Sequence, residues 1–216
     1  MGRTRGFDEA TVLHTVRDQF WDTGYEGTST YDLMDATGLG KGSIYKAFGN
    51  KRELYLRIFA DYCDDIVGQV QQAVGSRKVD GPDATSGSPL RRLEQYVVSL
   101  AHAFAAESPH RGCFLSKATA DLAGADEAVA ERARDAFDRI AGILGAAIRD
   151  AQRANEIDPA ADPRTLGYLL LSVIRGIDCI AKAGVDPSTL SDTARAAITL
   201  LPRPTAGGVT ARGVTA

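Results

Sequence analysis

The chain has 216 residues, of which 44% are hydrophobic and 25% are charged, and its formal net charge is −3 at pH 7. This length and composition are those of a globular protein of one or two domains with a sizeable core. A slightly acidic chain gains little non-specific affinity for nucleic acid from its overall charge. Any such binding must therefore come from a local basic surface, reinforced by a second copy of that surface.

Cysteine usage and hydropathy predict a protein of the reducing cytoplasm. The chain has three cysteines, Cys63, Cys113 and Cys179. Their odd number and wide spacing argue against a disulfide framework and against a short-spaced zinc site. No run approaches 18 apolar residues, and the N-terminus lacks the apolar segment of a signal peptide. We therefore expect no membrane contact and no metal site.

The first predicted helix begins after Asp8, which can cap its first turn, and ends near Gly24. Trp21 closes the far end of this helix, and we expect its ring in the core rather than at a contact with a partner. Arg3 and Arg5 precede the helix and are predicted to form a solvated tail. Contact of this basic arm with a neighbouring phosphate or minor groove is the alternative.

Two short helices joined by a tight turn follow. Thr28 or Ser29 can cap the first of them, and Gly38 suits the left-handed conformation that ends it. In the second, Ile44 and Phe48 are four residues apart and therefore share one buried stripe. The pattern is that of a helix-turn-helix, over about residues 29–48.

The outward side of this second helix is small, polar and cationic. Residues 36–52 contain four cationic residues and no acidic one, whereas residues 1–35 contain three basic and seven acidic residues. A helix-turn-helix lays its second helix in the major groove, where hydroxyl groups and lysines bond phosphates or base edges and glycine permits close approach. The predicted DNA-contacting residues are Thr28, Ser29, Thr30, Lys41, Gly42, Ser43, Tyr45, Lys46 and Lys51.

The stretch resembles the N-terminal DNA-binding domain of TetR/AcrR-type transcriptional regulators over roughly residues 7–60. The residues that carry the resemblance are Gly24-Tyr25, Thr28-Ser29, Asp32-Leu33, Ala36, Gly38-Leu39, Lys41-Gly42-Ser43-Ile44-Tyr45, Phe48, Lys51 and Leu54. The chain departs from the family pattern at Gly40, where a capping Ser is usual, and at Lys46-Ala47, where a His-Tyr-like pair is common. Gly in place of a Ser cap costs only about a few tenths of a kcal/mol. The second departure affects the DNA sequence preference.

Helical signals continue to the end of the chain and predict an all-α protein of about nine helices. A helix is expected from Asn50 to about Val74, and a loop over residues 75–89. The later helices are expected from Ser88-Pro89 to about 106, from 113 to about 122, from Asp126 to 154, from Asp162-Pro163 to 183, and from Asp186-Pro187 to about 201. These elements predict a three-helix DNA-binding domain over 6–66, a helical domain over 67–201 and a flexible tail over 202–216.

The helix at residues 164–183 is apolar on more than one face, so it needs two packing partners. One is the core of its own subunit. The other is the same helix of a second subunit, with residues 188–201 completing a two-fold four-helix interface. The resemblance implies the same arrangement, and a helix enclosed by its own monomer is the alternative. The expected interface residues are Leu166, Leu170, Ile174, Ile177, Ala181, Ala194 and Ile198.

The resemblance also implies a small-molecule pocket in the C-terminal domain, which acts by shifting the helix after Asn50. The candidate lining residues are Tyr62, Tyr96, His102, Phe104, Cys113, Phe137, Tyr168 and Cys179. Each of them also fits a plain structural role. Arg175 and Asp178 are three residues apart and are expected to form an ion pair or to meet a partner subunit rather than to recognise a charged ligand.

The resulting interpretation is a homodimeric, ligand-responsive transcriptional regulator that binds a near-palindromic double-stranded DNA operator. That it is a repressor, released by a small-molecule effector, rests on the resemblance alone. One alternative is redox or soft-metal sensing through Cys113, at the start of a helix. Another is a helical interaction module without DNA binding. His14, His102 and His110 offer no catalytic or metal-ligand pattern, so we expect neither an enzyme nor a cofactor.

Overall fold

The computed structural model describes residues 7–75, 87–107 and 111–204, and within them the chain forms nine α-helices and no strand. The helices are α1 (Glu9–Gly27), α2 (Thr30–Thr37), α3 (Lys41–Phe48), α4 (Lys51–Val74), α5 (Pro89–Ala106), α6 (Phe114–Leu122), α7 (Glu127–Arg153), α8 (Pro163–Lys182) and α9 (Pro187–Thr199). The all-α prediction is confirmed. Arg3, Arg5 and His110, most of the predicted loop and most of the predicted tail lie outside the described residues. No described helix is both long and apolar enough to cross a bilayer.

Side chains cap seven of these helices at the N-terminus. The capping residues are Asp8, Ser29, Asn50, Ser88, Asp126, Asp162 and Asp186. A proline also occupies the first turn of α5, α8 and α9. Each capping bond satisfies an amide that the helix leaves unpaired and contributes about 1 kcal/mol. The predicted helix starts are therefore fixed locally, before any tertiary contact forms.

The first helix breaks at Gly24, the residue predicted to end it, and a short helical segment follows the break. The helix continues to Gly27, but Gly24 interrupts it with φ 77° and ψ 171°, a conformation that favours glycine. The break turns Thr28 inward. Its hydroxyl donates to the Gly24 carbonyl oxygen at 2.7 Å and shares a 2.6 Å hydrogen bond with the Thr23 hydroxyl.

Helix α4 belongs to two packed units. Its first half closes a small core with α1, α2 and α3, in which Phe20, Leu33, Ile44 and Leu54 have no exposed surface. The helix also packs against α7, and the C-terminal unit is completed by α5, α6, α8 and α9. A change in the position of α4 must therefore be felt by the three N-terminal helices.

The helices α7 and α8 approach each other closely at two glycines. A Cβ atom on Gly167 would overlap the carbonyl oxygen of Ala141 and lie 2.9 Å from the Gly145 nitrogen. A Cβ atom on Gly145 would lie 2.9 Å from the Pro163 carbonyl oxygen. Because the obstructing atoms are backbone, a side chain here forces the two helices apart.

We therefore expect Gly167→Ala to lower the free energy of unfolding by about 1–3 kcal/mol, the usual cost of overpacking a core. The loss should exceed the gain in helix propensity, which is about 1 kcal/mol for this exchange. Urea or thermal unfolding followed by circular dichroism measures the difference.

Gly142→Ala is the matched control, because Gly142 is an exposed residue of α7 whose added Cβ would meet no atom within 4 Å. It should leave stability unchanged or raise it by up to about 1 kcal/mol. Equal stabilities for the two variants would contradict the close α7–α8 crossing.

Candidate nucleic-acid interface and internal cavity

The outer face of α3 is a cluster of exposed polar residues fixed by two buried ones. Ile44 has no exposed surface and Phe48 is buried, which anchors the helix on its inner side. Lys41, Ser43 and Lys46 are exposed on the other side, as is Gly42. Gly40 provides no side-chain cap at the start of the helix. The first turn of α3 therefore presents its backbone without a covering side chain.

Tyr45 joins α3 to α2. Its hydroxyl lies 2.7 Å from the Thr30 hydroxyl, and its ring lies under the Lys41 ammonium, with 5.6 Å from the nitrogen to the ring centroid. Ser29 is exposed and caps α2, and its bond to Asp32 lowers the pKa of that carboxyl group. Thr30, Tyr45 and Lys41 thus form one contiguous surface across the helix-turn-helix.

The positive charge of this surface comes from three lysines. No ion pair involving Lys41, Lys46 or Lys51 occurs within the described part of the chain, although Lys51 lies 4.2 Å from the Tyr25 ring centroid. Arg52 is different, because it forms two hydrogen bonds to the Asp126 carboxylate at 2.7 and 2.8 Å. These bonds lower the pKa of Asp126 and bring α4 against the start of α7.

One of the predicted DNA-contacting residues has no exposed side chain. Thr28 is fully buried and bonded internally, so its side chain is not available to a partner. Tyr31, which the predicted set does not include, is 80% exposed on α2, on the side opposite the buried Leu33. The remaining predicted contacts are exposed or half-buried around α2, α3 and the start of α4.

A cavity of about 280 Å³ lies where α1, α4, α5, α7 and α8 meet. Four predicted residues line it together: Tyr62, Tyr96, Phe104 and Cys113. The predictions missed the other lining residues, which are Trp21, Ile66, Val70, Leu100, Ala103, Glu107, Gly112, Ile140, Leu171, Ile174 and Arg175. The volume is just below the range for small-molecule sites, roughly 300–1,000 Å³.

The other four predicted lining residues do not line this cavity. His102 is exposed one position after the buried Ala101, and Cys179 is exposed on α8. Phe137 is half-buried outside the cavity. Tyr168 donates its hydroxyl hydrogen to Asp138 on α7. These residues were chosen by type, but the face of the helix decides which of them reach the cavity.

The polar groups of the cavity wall are mostly bonded to one another. The Tyr62 hydroxyl donates to the Cys113 sulfur at 3.5 Å and accepts from the Phe114 amide at 3.3 Å. Burial raises the pKa of Tyr62, and it raises the pKa of Tyr96 to about 12. Both phenols are therefore neutral at physiological pH. The Glu107 carboxylate accepts from the Gly112 amide at 3.0 Å.

One edge of the cavity is bonded to α1. Trp21, which we expected in the core, is half-buried in the cavity wall and donates from Nε1 to the Gly112 carbonyl oxygen at 3.0 Å. Arg111 pairs with Asp22 at 2.6 Å and donates to the Asp18 carbonyl oxygen at 3.0 Å. Movement of the segment before α6 is therefore transmitted to the first helix.

The seven predicted dimer-interface residues are all buried inside a single chain: Leu166, Leu170, Ile174, Ile177, Ala181, Ala194 and Ile198. The prediction selected the inner face of α8, which packs against α7 and α5. The outer face is a different stripe, where Leu169 is 49% exposed and Ile180 is 37% exposed. Ser172 and Gly176 lie between them and are also exposed. This outer face is uncharged at all four positions.

The three cysteines are free thiols, with Cys63 and Cys113 buried and Cys179 exposed. Across residues 7–75, 87–107 and 111–204, no group of three or more His, Cys, Asp or Glu side chains is placed to hold a metal ion. The soft-metal alternative therefore has no ligand set in this part of the protein. The redox alternative at Cys113 stays a prediction.

Comparison with known proteins matches both parts of the fold. The family described as "Bacterial regulatory proteins, tetR family" matches residues 12–58, and the one described as "Tetracyclin repressor-like, C-terminal domain" matches residues 89–198. The HTH-type transcriptional regulator YezE of Bacillus subtilis is 28% identical over 211 residues, covering 93% of this chain and all of YezE. The HTH-type transcriptional repressor ComR of Escherichia coli is 25% identical, with 93% and 92% covered.

Among solved structures, a cysteine mutant of the TetR family regulator CifR in complex with a 26-base-pair operator superimposes with a TM-score of 0.75. The two are 24% identical, and the match covers 93% of this chain and all of CifR. NemR of E. coli in its reduced form gives a TM-score of 0.76 at 15% identity, with 91% and 97% covered. These structural matches support the same fold.

We expect Lys46→Ala to weaken binding to duplex DNA and to reduce the salt dependence of log K by about 1, as loss of one phosphate contact does. The melting temperature should not change, because Lys46 is exposed and has no ion-pair partner among the described residues. Fluorescence anisotropy over a salt series measures both quantities.

Arg149→Ala removes the same charge from an exposed position of α7, remote in sequence from the helix-turn-helix, and serves as the control. It should leave both the affinity and the salt slope nearly unchanged. If the two variants lose affinity equally, α3 is not the surface that meets DNA.

Proposed function

The chain belongs to the TetR family of DNA-binding transcriptional regulators, and from that membership we propose that it is a homodimeric repressor released from its operator by a small molecule. The observation that carries the proposal is the exposed, cationic face of α3, held in place by buried Ile44 and Phe48. A regulator of this kind acts on chromosomal DNA, which supports a cytoplasmic location.

Operator contact is assigned to the surface formed by α2, α3 and the first turn of α4. Lys41, Ser43 and Lys46 are exposed on α3, where a recognition helix contacts base edges and phosphates. Thr30 and Tyr45 lie beside them and bond to each other. Lys51 lies in the first turn of α4, where unpaired amides and the helix dipole favour a phosphate.

Dimerisation is assigned to the outer face of α8 with the exposed side of α9. The described residues include four large hydrophobic side chains that are strongly exposed, and three of them, Leu169, Ile180 and Leu200, lie on or next to these helices. An uncharged helix face of this kind suits a two-fold contact with its own copy. A dimer doubles the local positive surface and calls for a near-palindromic operator.

Release by a ligand is assigned to the cavity, because its wall includes helices of both units. Trp21 of α1 and Tyr62 of α4 both line it, and Trp21 bonds to Gly112 on its edge. A ligand that fits a different arrangement of these helices shifts the protein toward that arrangement. Since α4 also closes the core around α3, the shift alters the spacing of the two recognition helices.

Repression rather than activation is supported by the relatives. ComR is described as a repressor. That description concerns ComR, and the match over 93% of this chain and 92% of ComR supports extending it here.

The direct test is selection of bound sequences from a random DNA pool. An enriched inverted repeat whose half-sites lie about one helical turn apart is the expected result. A salt titration of the enriched site against an unrelated duplex should show a specific affinity advantage of about a thousandfold or more. Equal, weak and salt-sensitive binding to both duplexes would instead favour an interaction module that does not read DNA.

We expect Ile180→Glu to convert the dimer to a monomer, because it places two like charges across an apolar contact. Analytical ultracentrifugation should show the smaller species, and affinity for the enriched repeat should fall at least tenfold. The half-exposed position makes a folding defect small, which circular dichroism checks.

Ala160→Glu adds the same charge to an exposed residue between α7 and α8 and should leave both the mass and the affinity unchanged. A dimer that persists in Ile180→Glu at low micromolar concentration would remove α8 from the interface.

A further inference from the structure

We propose that the cavity takes a compact organic monocarboxylate, with Arg175 as its counter-ion. This inference rests on the proposed ligand response and adds the chemical class of the ligand. The expected ion pair between Arg175 and Asp178 is present but long, with 4.0 Å between Nη1 and Oδ2, and it leaves hydrogen-bond donors of Arg175 unused.

Arg175 is a largely buried cation with unused hydrogen-bonding groups. Its side chain is only 19% exposed, and it projects into the cavity wall from α8. The Nε and Nη1 atoms have no accessible surface and no hydrogen-bond partner among the described residues. A buried donor left unpaired is costly, and a charged one more so. An acceptor from a ligand would satisfy these donors once the side chains that cover them move aside.

The neighbouring carboxylates do not meet this need. Asp178 approaches Nη1 only to 4.0 Å, beyond hydrogen-bonding distance, and its two oxygens accept from the Cys113 amide at 3.1 and 3.2 Å. Glu107 is bonded to the Gly112 amide. Both carboxylates thus accept hydrogen bonds from the segment before α6. Arg175 is the single cationic side chain among the described residues that line the cavity.

The residues around the cavity and its volume also indicate the charge and the size of the ligand. Glu107 and Asp178 lie near Arg175, so a second negative charge on the ligand would be repelled, and one carboxylate fits better than a doubly charged phosphate. The rest of the wall near α8 is apolar, with Leu171 and Ile174 on the same helix and the Phe104 ring 6.0 Å from the guanidinium carbon. A cavity of about 280 Å³ limits the apolar body to a short chain or a single ring.

Trp21 provides a readout that does not involve DNA, because it is the one tryptophan of the chain and lies in the cavity wall. The probes are two matched pairs of acid and primary amide: phenylacetate with phenylacetamide, and hexanoate with hexanamide. Titration of the dimeric full chain, followed by Trp21 emission, should show at least one acid binding about tenfold or more tightly than its amide. Equal binding of acid and amide in both pairs overturns the proposal, as does no response to any probe at millimolar concentration.

Arg175→Gln keeps most of the side-chain volume and removes the charge, so it should abolish the preference for the acid while the amide binds as before. Arg175→Lys should retain part of the preference. Arg164→Gln, an exposed position on the same helix, is the control and should behave as the unaltered protein. An acid preference that persists in Arg175→Gln also overturns the proposal.

Two further measurements separate this inference from its premise. A single cooperative thermal transition shows that Arg175→Gln is folded, although loss of the long ion pair to the buried Asp178 is expected to lower the melting temperature. Sequence selection from random DNA tests the regulator itself. A protein that selects an inverted repeat but shows no acid preference refutes the ligand class alone, whereas acid binding without sequence selection refutes the regulator and leaves the carboxylate site standing.

Discussion

The recognition helix and the cavity are held in one unit by a chain of aromatic rings that runs between α1, α4 and α6. Phe20, fully buried beneath the helix-turn-helix, meets Tyr55 edge-on with 5.1 Å between ring centroids. Tyr55 contacts Phe114 at 5.9 Å, Phe114 contacts Tyr62 at 5.5 Å, and Tyr62 meets Trp21 at 5.1 Å in the cavity wall. Close-packed rings resist compression, so we expect movement of Trp21 or Tyr62 at the cavity to be accompanied by movement of Phe20 at the other end of the series.

The distribution of charge in the protein also favours the helix-turn-helix surface. The molecule is slightly acidic overall, and Arg52, at the edge of the basic stretch, is neutralised by Asp126. That ion pair fastens the N-terminal helices to the larger unit, while Lys41, Lys46 and Lys51 remain for the duplex. Affinity for DNA is therefore expected to depend on a few local charges, which the proposed dimer presents twice, so that binding is sensitive to how the two copies are spaced.

The starts of the helices could be predicted from the sequence, but the face of a helix that is buried in the monomer could not. Capping residues such as Asn50 and Asp162 act within one turn, so they fix helix starts from sequence alone. On α8, apolar residues cover two faces, and the hydrophobic pattern does not say which one meets the monomer core. The prediction took Leu170 rather than Leu169 for the interface. The lack of hydrogen bonds at Nε and Nη1 of Arg175 depends on neighbours in space, because Asp178 accepts from the Cys113 amide instead, and no spacing within α8 reveals this.

The close approach of α7 and α8 at two glycines limits which helices can move when the cavity changes shape. Backbone lies against backbone at Gly145 and Gly167, so neither helix can advance toward the other. Helices α1 and α4 contribute Trp21 and Tyr62 to the cavity that Leu171 of α8 also lines. If a ligand widens this cavity, as proposed, α8 cannot make room by moving toward α7, so the displacement falls on the other helices of the wall.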